Sequence, residues 1–277
     1  MLRIEKISSF DAPELQPYAT MRRPAAHELK GIFVAEGEKV VRRLLESHFT
    51  VVSIVFTEKH LADFRDLIEA RPEQITVYLA EKKWLETLTG FVMFQGMLAV
   101  GKIPEKVSLD AVLRDSPKPR LIAAVDGLTN SENLGALVRN CAAFSVHGLL
   151  VGETSSSPFL RRAVRNSMGA IFQLQVVELG KSDATTLAGT LGTLRQRGIR
   201  CVAAHPHGKK LLTEADLGKD CCIVFGSEGM GISKEVLESC DEVVAIPMPE
   251  KVDSLNVGAA AAVFLYEANR QRKKTLR

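Results

Sequence analysis

Hydrophobic residues occur along this chain in two alternating patterns, short continuous runs and stripes with helical spacing. The stripe of Val40, Val41, Leu44 and Leu45 is an example of the second pattern and predicts an amphipathic helix. The continuous runs predict buried strands at 32–35, 51–56, 75–79, 97–100, 121–125, 148–151, 199–204, 222–225 and 242–246. Strands that alternate with helices predict an α/β fold.

The pattern weakens in two places, which suggest how the chain is organised. Residues 1–24 show no periodicity and are predicted to form an extended or partly ordered lead. Between 103 and 119 the hydrophobic density falls, and Ser116-Pro117-Lys118-Pro119 would end any helix that begins at Ser108. We therefore predict three parts: a smaller N-terminal domain at 1–104, a linker at 105–119 and a larger domain at 120–277.

Composition is that of an ordinary globular protein, with 46% hydrophobic residues and a net charge of +3 over 277 residues. The longest useful apolar run, Val257–Leu265, has nine residues, whereas a bilayer crossing needs about 20. The first residues lack the apolar core of a secretion signal. These features predict a cytoplasmic protein with no membrane segment.

The spacing of the cysteines and histidines matches no metal-ligand motif and no disulfide pattern. The five cysteines include no C-x-x-C pair, and several fall within apolar runs, so reduced structural thiols are predicted. The only closely spaced histidines that resemble a ligand pair, His205-Pro206-His207, are interpreted as a loop. No metal site is predicted.

A first polar group surrounds the predicted helix at 134–144. Gly135 and Arg139 lie one turn apart beside its apolar face, and helical side chains lean toward the N-terminus. Arg139 would then extend over Gly135 toward Asn133, where exposed backbone amides also begin the helix. Such a site suits a phosphate or a developing alkoxide. The alternative is that Asn133 is only an N-cap and Arg139 only a surface charge.

Three loops follow predicted strands or precede the last helix, predicted at 254–270. The run Gly226-Ser227-Glu228-Gly229-Met230-Gly231 comes directly after a strand, and Pro247 follows the next one. Ligands of α/β proteins bind at this carboxyl edge. Together with the turn at Ser254, these loops could enclose a flat adenosyl group through main-chain contacts. Alternatively, the glycines only terminate strands.

Familiar nucleotide-binding motifs do not fit this sequence. In the only GK[ST] triplet, Gly180-Lys181-Ser182, the preceding P-loop glycine is replaced by Gln175. The spacing of Gly226, Gly229 and Gly231 does not match a dinucleotide fingerprint. These mismatches exclude phosphate binding of those two types.

Four blocks in this order resemble the conserved motifs of the SpoU/TrmH family of RNA ribose 2′-O-methyltransferases. The blocks are Asn133-Leu134-Gly135 with Arg139, Phe225–Gly231, Ile246-Pro247-Met248 and Ser254–Gly258. Residues 25–101 resemble the family's small L30e-like substrate-binding domain. The resemblance implies a C-terminal SPOUT domain, a parallel α/β sheet tied in a deep trefoil knot, which is a rare exception among folds.

The resemblance also implies roles for individual residues. The family positions whose backbone holds S-adenosylmethionine correspond to Gly226, Ile246 and Leu255. The catalytic and substrate-positioning residues correspond to Asn133, Arg139, Glu228, Ser254 and Asn256. The family usually has Asp-Pro where this chain has Asn130-Ser131, so the geometry of the loop into the helix is open. A homodimer built on the terminal helix is implied too.

The implied substrate is ribosomal or transfer RNA. Basic clusters at Arg161-Arg162 with Arg165, at Arg22-Arg23 and at Arg42-Arg43 are candidates for phosphate contacts, although solvated surface is the alternative for each. A non-catalytic RNA-binding or assembly protein that retains the fold is the competing function. A methyltransferase that acts on a base nitrogen is disfavoured, because the polar residues match the ribose-modifying branch.

Overall fold

The chain forms two compact units, each with its own sheet. The computed structural model describes residues 2–89, 96–180, 185–249 and 251–275. Unit 1 comprises Met1–Glu105 with Phe159–Gln173, and unit 2 comprises Lys106–Pro158 with Leu174–Arg277. In chain order, the described elements are β1 Leu2–Ile7, α1 Gln16–Ala19, α2 Pro24–Glu28, β2 Ile32–Glu36, α3 Glu38–Leu45, β3 Val51–Phe56, α4 Leu61–Glu69, β4 Ile75–Ala80, α5 Lys82–Thr89, β5 Met97–Lys102, α6 Leu109–Asp115, β6 Leu121–Asp126, α7 Ser131–Ala143, β7 Gly148–Val151, α8 Arg161–Asn166, β8 Gln175–Glu178, α9 Leu187–Gln196, β9 Arg200–Ala204, β10 Lys210–Leu211, β11 Cys221–Gly226, α10 Lys234–Glu238, β12 Glu242–Ala245 and α11 Val257–Thr275.

Unit 1 contains a five-stranded mixed sheet in the order β1-β4-β3-β5-β2. Strands β1, β4 and β3 are parallel, and β5 runs antiparallel to both β3 and β2. The first 24 residues, predicted as an extended or partly ordered lead, contain regular structure. Residues 2–7 form an edge strand, and Tyr18 is fully buried with its hydroxyl 2.8 Å from Ser53 Oγ. Charged residues alternate with the apolar ones in β1, as is common in edge strands, and this obscured the pattern.

The segment 159–173 packs within unit 1, although the sequence analysis assigned it to the second domain. Aromatic contacts explain this placement. Phe159 and Phe172 lie against Phe33 of β2, with ring centroids 5.9 and 5.6 Å from it, and all three rings are buried. Such ring pairs contribute beyond their buried area.

The basic cluster on α8 is largely used inside unit 1. Buried Glu36 accepts hydrogen bonds from Arg161 and, at 3.0 Å, from Arg165. The side chain of Arg161 is only 12% exposed. Arg161 and Arg165, which the sequence made candidates for phosphate contacts, are thus both paired with Glu36, because a buried carboxylate requires paired cations. Arg162, between them, is exposed.

Unit 2 contains a seven-stranded parallel sheet in the order β10-β12-β9-β11-β6-β7-β8. Its long strands are buried along their length, as their unbroken apolar runs predicted. Helix α6 lies in the predicted linker, but Val112 and Leu113 pack into the core of unit 2. The helix begins after Ser108, whose side chain accepts from Ala111 N, and ends at Asp115, before the predicted breaker cluster.

Helix α11 begins at Val257 rather than at Ser254 and continues to Thr275, beyond the predicted end. Asn256 precedes it, and its side chain accepts from Gly258 N at 2.9 Å, which is N-cap geometry. No described helix combines the length and the apolar character that a bilayer span requires. All five cysteines are free, and four of them are buried, as the sequence analysis predicted.

Candidate active site

A cavity of about 320 Å³ opens at the carboxyl edge of the sheet of unit 2. It is enclosed by the segments that follow β9, β11 and β12, three adjacent strands, and by the start of α11. Its apolar walls include Phe225, Ile232, Ile246, Met248, Leu255 and Phe264. Parallel strands end at a common edge, which explains why separate segments of the sequence converge here.

The loop after β11 is held in a tight closed turn. Ser227 and Gly231 exchange two backbone hydrogen bonds of 3.0 Å, and Ser227 Oγ accepts from Met230 N at 3.2 Å. Gly231 has φ +68°, and Gly226 is pressed against the return of the loop, since a Cβ there would lie 2.3 Å from the carbonyl carbon of Gly231. These two glycines make the turn possible. Exposed Glu228 lies at its tip.

A chain of side-chain hydrogen bonds joins three of the predicted catalytic residues. Asn133 Nδ2 donates to Glu228 Oε1, and Asn256 Nδ2 donates to Asn133 Oδ1 at 3.0 Å. The three residues come from α7, the loop after β11 and the segment that precedes α11. Because Asn256 donates to the Asn133 oxygen, the carboxamide of Asn133 must present its NH₂ to the carboxylate of Glu228.

The first turn of α7 shows which residue is the N-cap and how Asn130-Ser131 enters the helix. The helix begins at Ser131, and its N-cap is Asn130, whose Oδ1 accepts from Glu132 N at 2.9 Å and from Asn133 N at 3.3 Å. Asn133 is therefore not the cap. The carboxamide of Asn130 caps the helix as the carboxylate of an aspartate at this position would.

The remaining predicted residues divide between the cavity and its surroundings. Gly226, Ile246 and Leu255 line the cavity, as do Glu228 and Ser254. Arg139 does not line it. Its side chain is exposed and makes no hydrogen bond or ion pair within the described part of the chain. Next to it, Asn140 Nδ2 donates to Gly258 O at 2.7 Å and so connects α7 to α11.

Sequence reasoning missed three polar residues of this cavity. His205, His207 and Asp253 line it, and the two histidines lie in the loop that follows β9. Burial and the neighbouring His207 lower the pKa of His205 below its usual value. The position of His205 directly after a predicted strand was the available signal, since the same edge argument had already located the glycine loop.

The lining fits S-adenosylmethionine, the cofactor that the sequence resemblance implies. The volume is within the range of small-molecule sites, about 300–1,000 Å³. Apolar side chains and the close-packed backbone at Gly226 suit a flat adenine ring. The carboxylates of Glu228 and Asp253 suit a ligand with positive charge. Ile246 and Leu255 are placed to contribute to the apolar walls.

The comparisons with known proteins agree with this description. The profile of the SpoU rRNA methylase family matches residues 120–266, and the profile described as RNA 2′-O ribose methyltransferase substrate binding matches residues 34–107. An uncharacterized tRNA/rRNA methyltransferase of Mycobacterium tuberculosis is 33% identical, over 97% of this chain and 93% of its own. One from Mycobacterium leprae is 33% identical, over 87% of this chain and 71% of its own.

Solved structures match over nearly the whole chain. A crystal structure of an RNA 2′-O ribose methyltransferase superposes with TM-score 0.78 at 27% identity, covering 97% of this chain and 100% of the other. The SpoU methyltransferase AviRb from Streptomyces viridochromogenes, in complex with AdoMet, gives TM-score 0.81 at 24% identity and covers 95% of this chain and 100% of its own. The second likeness shows the fold alone. The predicted fold class, a SPOUT domain preceded by a substrate-binding domain, is confirmed. The chain belongs to the SpoU family of RNA methyltransferases.

Proposed function

We propose that this enzyme transfers the methyl group of S-adenosylmethionine to a ribose 2′-hydroxyl of a structured RNA, either ribosomal or transfer RNA. The cavity at the carboxyl edge of unit 2, with the Glu228–Asn133–Asn256 chain beside it, is the observation that carries the proposal. The bound cofactor supplies an electrophilic methyl group on a sulfonium. The residues of this chain must bind it, position the hydroxyl and manage the proton that the hydroxyl loses.

In this account Gly226, Ile246 and Leu255 hold the cofactor, and the polar residues act on the RNA. Arg139 is exposed and is assigned to the emerging 2′-oxyanion and an adjacent phosphate. A guanidinium with a pKa above about 12 is a poor proton acceptor, so we assign it charge stabilisation rather than the role of base. Glu228 and Ser254 line the cavity, and we assign them to positioning the substrate.

The hydrogen bond from Asn256 to Asn133 can be tested as a contact that positions Asn133 for catalysis. Asn256→Ser should keep the N-cap of α11 but cannot reach Asn133, so we expect unchanged melting and about tenfold lower kcat. Asn256→Ala should lower kcat similarly and also lower the free energy of unfolding by about 1 kcal/mol. Thermal melts and single-turnover kinetics measure the two effects separately. A fully active serine variant would remove the link from the mechanism.

Unit 1 offers a second surface for the RNA. A groove of about 650 Å³ follows the carboxyl ends of β1, β3 and β4 and is lined by Lys6, Lys59 and Lys82. All three lysines are exposed. Lys6 pairs with Glu58 at 3.5 Å and Lys82 with Glu86 at 3.4 Å, and the carboxylates of Glu58 and Glu81 also line the groove. Such pairs are weak. The exposed lysines are therefore candidates for phosphate contacts, whereas Arg161 and Arg165 of α8 are already paired with Glu36.

The proposed assembly is a homodimer through α11. The side chains of Val263 and Tyr266 are 41% and 59% exposed, and with Ala259 they lie on one face of this helix. Tyr266 also contacts Phe144 edge to face, which extends the apolar face toward α7. An exposed apolar helix face of this kind is typical of a protein interface. A cytoplasmic location remains a prediction from the sequence.

Light scattering tests the dimer. The molar mass measured for the native protein should be twice the chain mass of 30.3 kDa. Tyr266→Glu should have the mass of the monomer, because a dimer would bury an unpaired carboxylate in the interface. Leu211→Glu is the matched control, an exposed apolar residue on β10 whose change should leave the dimer intact. A native monomer, or a dimeric Tyr266→Glu, would contradict the assignment.

Methyl transfer itself tests the proposed function. Purified protein, methyl-labelled S-adenosylmethionine and RNA from cells that lack the enzyme should give labelled RNA. Separate reactions with ribosomal and transfer RNA identify the substrate class. The expected result is label in one of the two. Binding of the cofactor and of RNA with no transfer to either would instead support the assembly-protein alternative.

A further inference from the structure

Two histidines of the loop that follows β9 lie at the wall of the proposed cofactor cavity. Both His205 and His207 line the cavity, His205 partly buried and His207 exposed. His207 N donates to His205 Nδ1 at 3.2 Å, and the two ring centroids are 5.7 Å apart. The loop is fixed on its far side by Gly208, where a Cβ would lie 2.6 Å from the carbonyl carbon of Val244. The backbone of the loop is therefore closely packed at Gly208, and the ring of His205 is oriented by its hydrogen bond from His207 N.

The hydrogen bond from His207 N determines how His205 carries its proton. Since Nδ1 accepts, the neutral ring must have its hydrogen on Nε2. Burial, followed by the effect of His207, lowers the pKa of His205, so the ring is neutral near pH 7. A neutral ring adds a donor to the cavity without adding charge.

The other charged groups around the cavity are few. The carboxylates of Glu228 and Asp253 line it and favour a cation. Lys209 follows the loop and is exposed, while Lys210 pairs with Glu242 at 2.8 Å. Among the described lining residues, His205 is thus a group that can introduce positive charge into the cavity as the pH falls.

We propose that His205, held in the loop by its hydrogen bond from His207 N, sets the preference of this cavity between cationic S-adenosylmethionine and neutral S-adenosylhomocysteine, in favour of the first only while its ring is neutral. The inference rests on the proposed function. The cofactor and its demethylated product share the adenosyl and amino-acid groups and differ by the methyl group and the sulfonium charge. An imidazolium confined in the same cavity repels the sulfonium, which weakens binding of the cofactor alone. At acidic pH the product then competes more effectively.

The lowered pKa of His205 determines how the affinity for each ligand changes with pH. Near pH 8 the ring is neutral and both ligands bind. As pH falls through the lowered pKa, the imidazolium forms and S-adenosylmethionine affinity declines, while S-adenosylhomocysteine affinity changes little. By reciprocity, the bound cofactor lowers the pKa of His205 further, and the bound product does not.

Calorimetric titration of the whole protein with each ligand, from about pH 8 to about pH 5.5, tests the proposal. In the native protein we expect the ratio of the two dissociation constants to shift against S-adenosylmethionine by about tenfold. In His205→Asn with His207→Asn the ratio should stay constant, since asparagine keeps a polar side chain without a titrating charge. His48→Asn, at an exposed histidine of unit 1, should behave as native.

Two results would overturn the inference: a constant ratio in the native protein, or an equal shift in the double variant, which would attribute it to the carboxylates. Proton NMR titration of the His205 ring gives a readout independent of affinity, because its pKa should fall with cofactor and not with product. If S-adenosylmethionine does not bind at any pH, the proposed function fails as well. The two failures are therefore distinguishable.

Discussion

Replacing Arg139 with alanine should abolish methyl transfer and leave the affinity for S-adenosylmethionine nearly unchanged. The side chain is exposed, it is not part of the cavity lining, and no described residue pairs with it. Its loss should therefore affect the RNA and the charge that develops on the 2′-oxygen. Removal of one such stabilising group typically lowers kcat by about 10²–10³. Arg139→Lys should recover only part of this, because a lysine ammonium lacks the bidentate guanidinium.

Single-turnover kinetics with saturating RNA and calorimetry with the cofactor measure these two quantities. Arg65→Ala is the matched control, since it removes a half-exposed arginine of unit 1 that forms an i,i+4 pair with Glu69. It should keep native rates. An active Arg139→Ala would exclude the guanidinium from the chemistry, and loss of cofactor binding would mean that it shapes the cavity instead.

Gly226→Ala should lower cofactor affinity by about tenfold to hundredfold although it adds only one methyl group. The new Cβ would lie 2.3 Å from the carbonyl carbon of Gly231 and 2.4 Å from Ile232 N. Both neighbours are main chain and cannot rotate away, so the closed loop has to shift. Overpacking of this kind costs about 1–3 kcal/mol, and the shifted loop forms one wall of the cavity.

Two other glycines separate a loop effect from general instability. A Cβ at Gly229, in the same loop, has no neighbour within 4 Å, so Gly229→Ala should bind the cofactor normally. Gly148→Ala would place a Cβ 2.5 Å from Val112 Cγ1 in the core of unit 2. It should lower the melting temperature without lowering affinity. Native affinity in Gly226→Ala would show that this loop does not hold the cofactor.

Hydrophobic pattern was sufficient for most of the architecture because the strands are buried on both faces. Runs such as 121–125 and 222–225 have no exposed positions to interrupt them, and both are strands of the parallel sheet. Strand β1 escaped prediction because an edge strand alternates charged and apolar residues. The placement of 159–173 in unit 1 was not predicted either. It depends on ring contacts with Phe33 and on the ion pairs of Glu36, and both residues are distant from this segment in the sequence.

The location of the cavity was predictable because the carboxyl ends of parallel strands meet at one edge of the sheet. That rule brought the glycine loop and Ser254 to one cavity. It did not show that Asn256 holds Asn133, because that hydrogen bond depends on how α7 packs against the segment before α11. The Asn130 cap is local to α7 and was missed because Asn133 was considered as the cap instead. The role of Arg139 was taken from family resemblance and stays a prediction, since its exposed side chain makes no contact that defines one.

The most direct test of the central claim is to identify the modified nucleoside. RNA treated with the enzyme and S-adenosylmethionine is digested completely and analysed by mass spectrometry, with the Arg139→Ala reaction as the blank. We expect a 2′-O-methylnucleoside that is absent from the blank. A base-methylated nucleoside would transfer the chain to another reaction class, and unmodified RNA that nevertheless binds the protein tightly would contradict catalysis altogether.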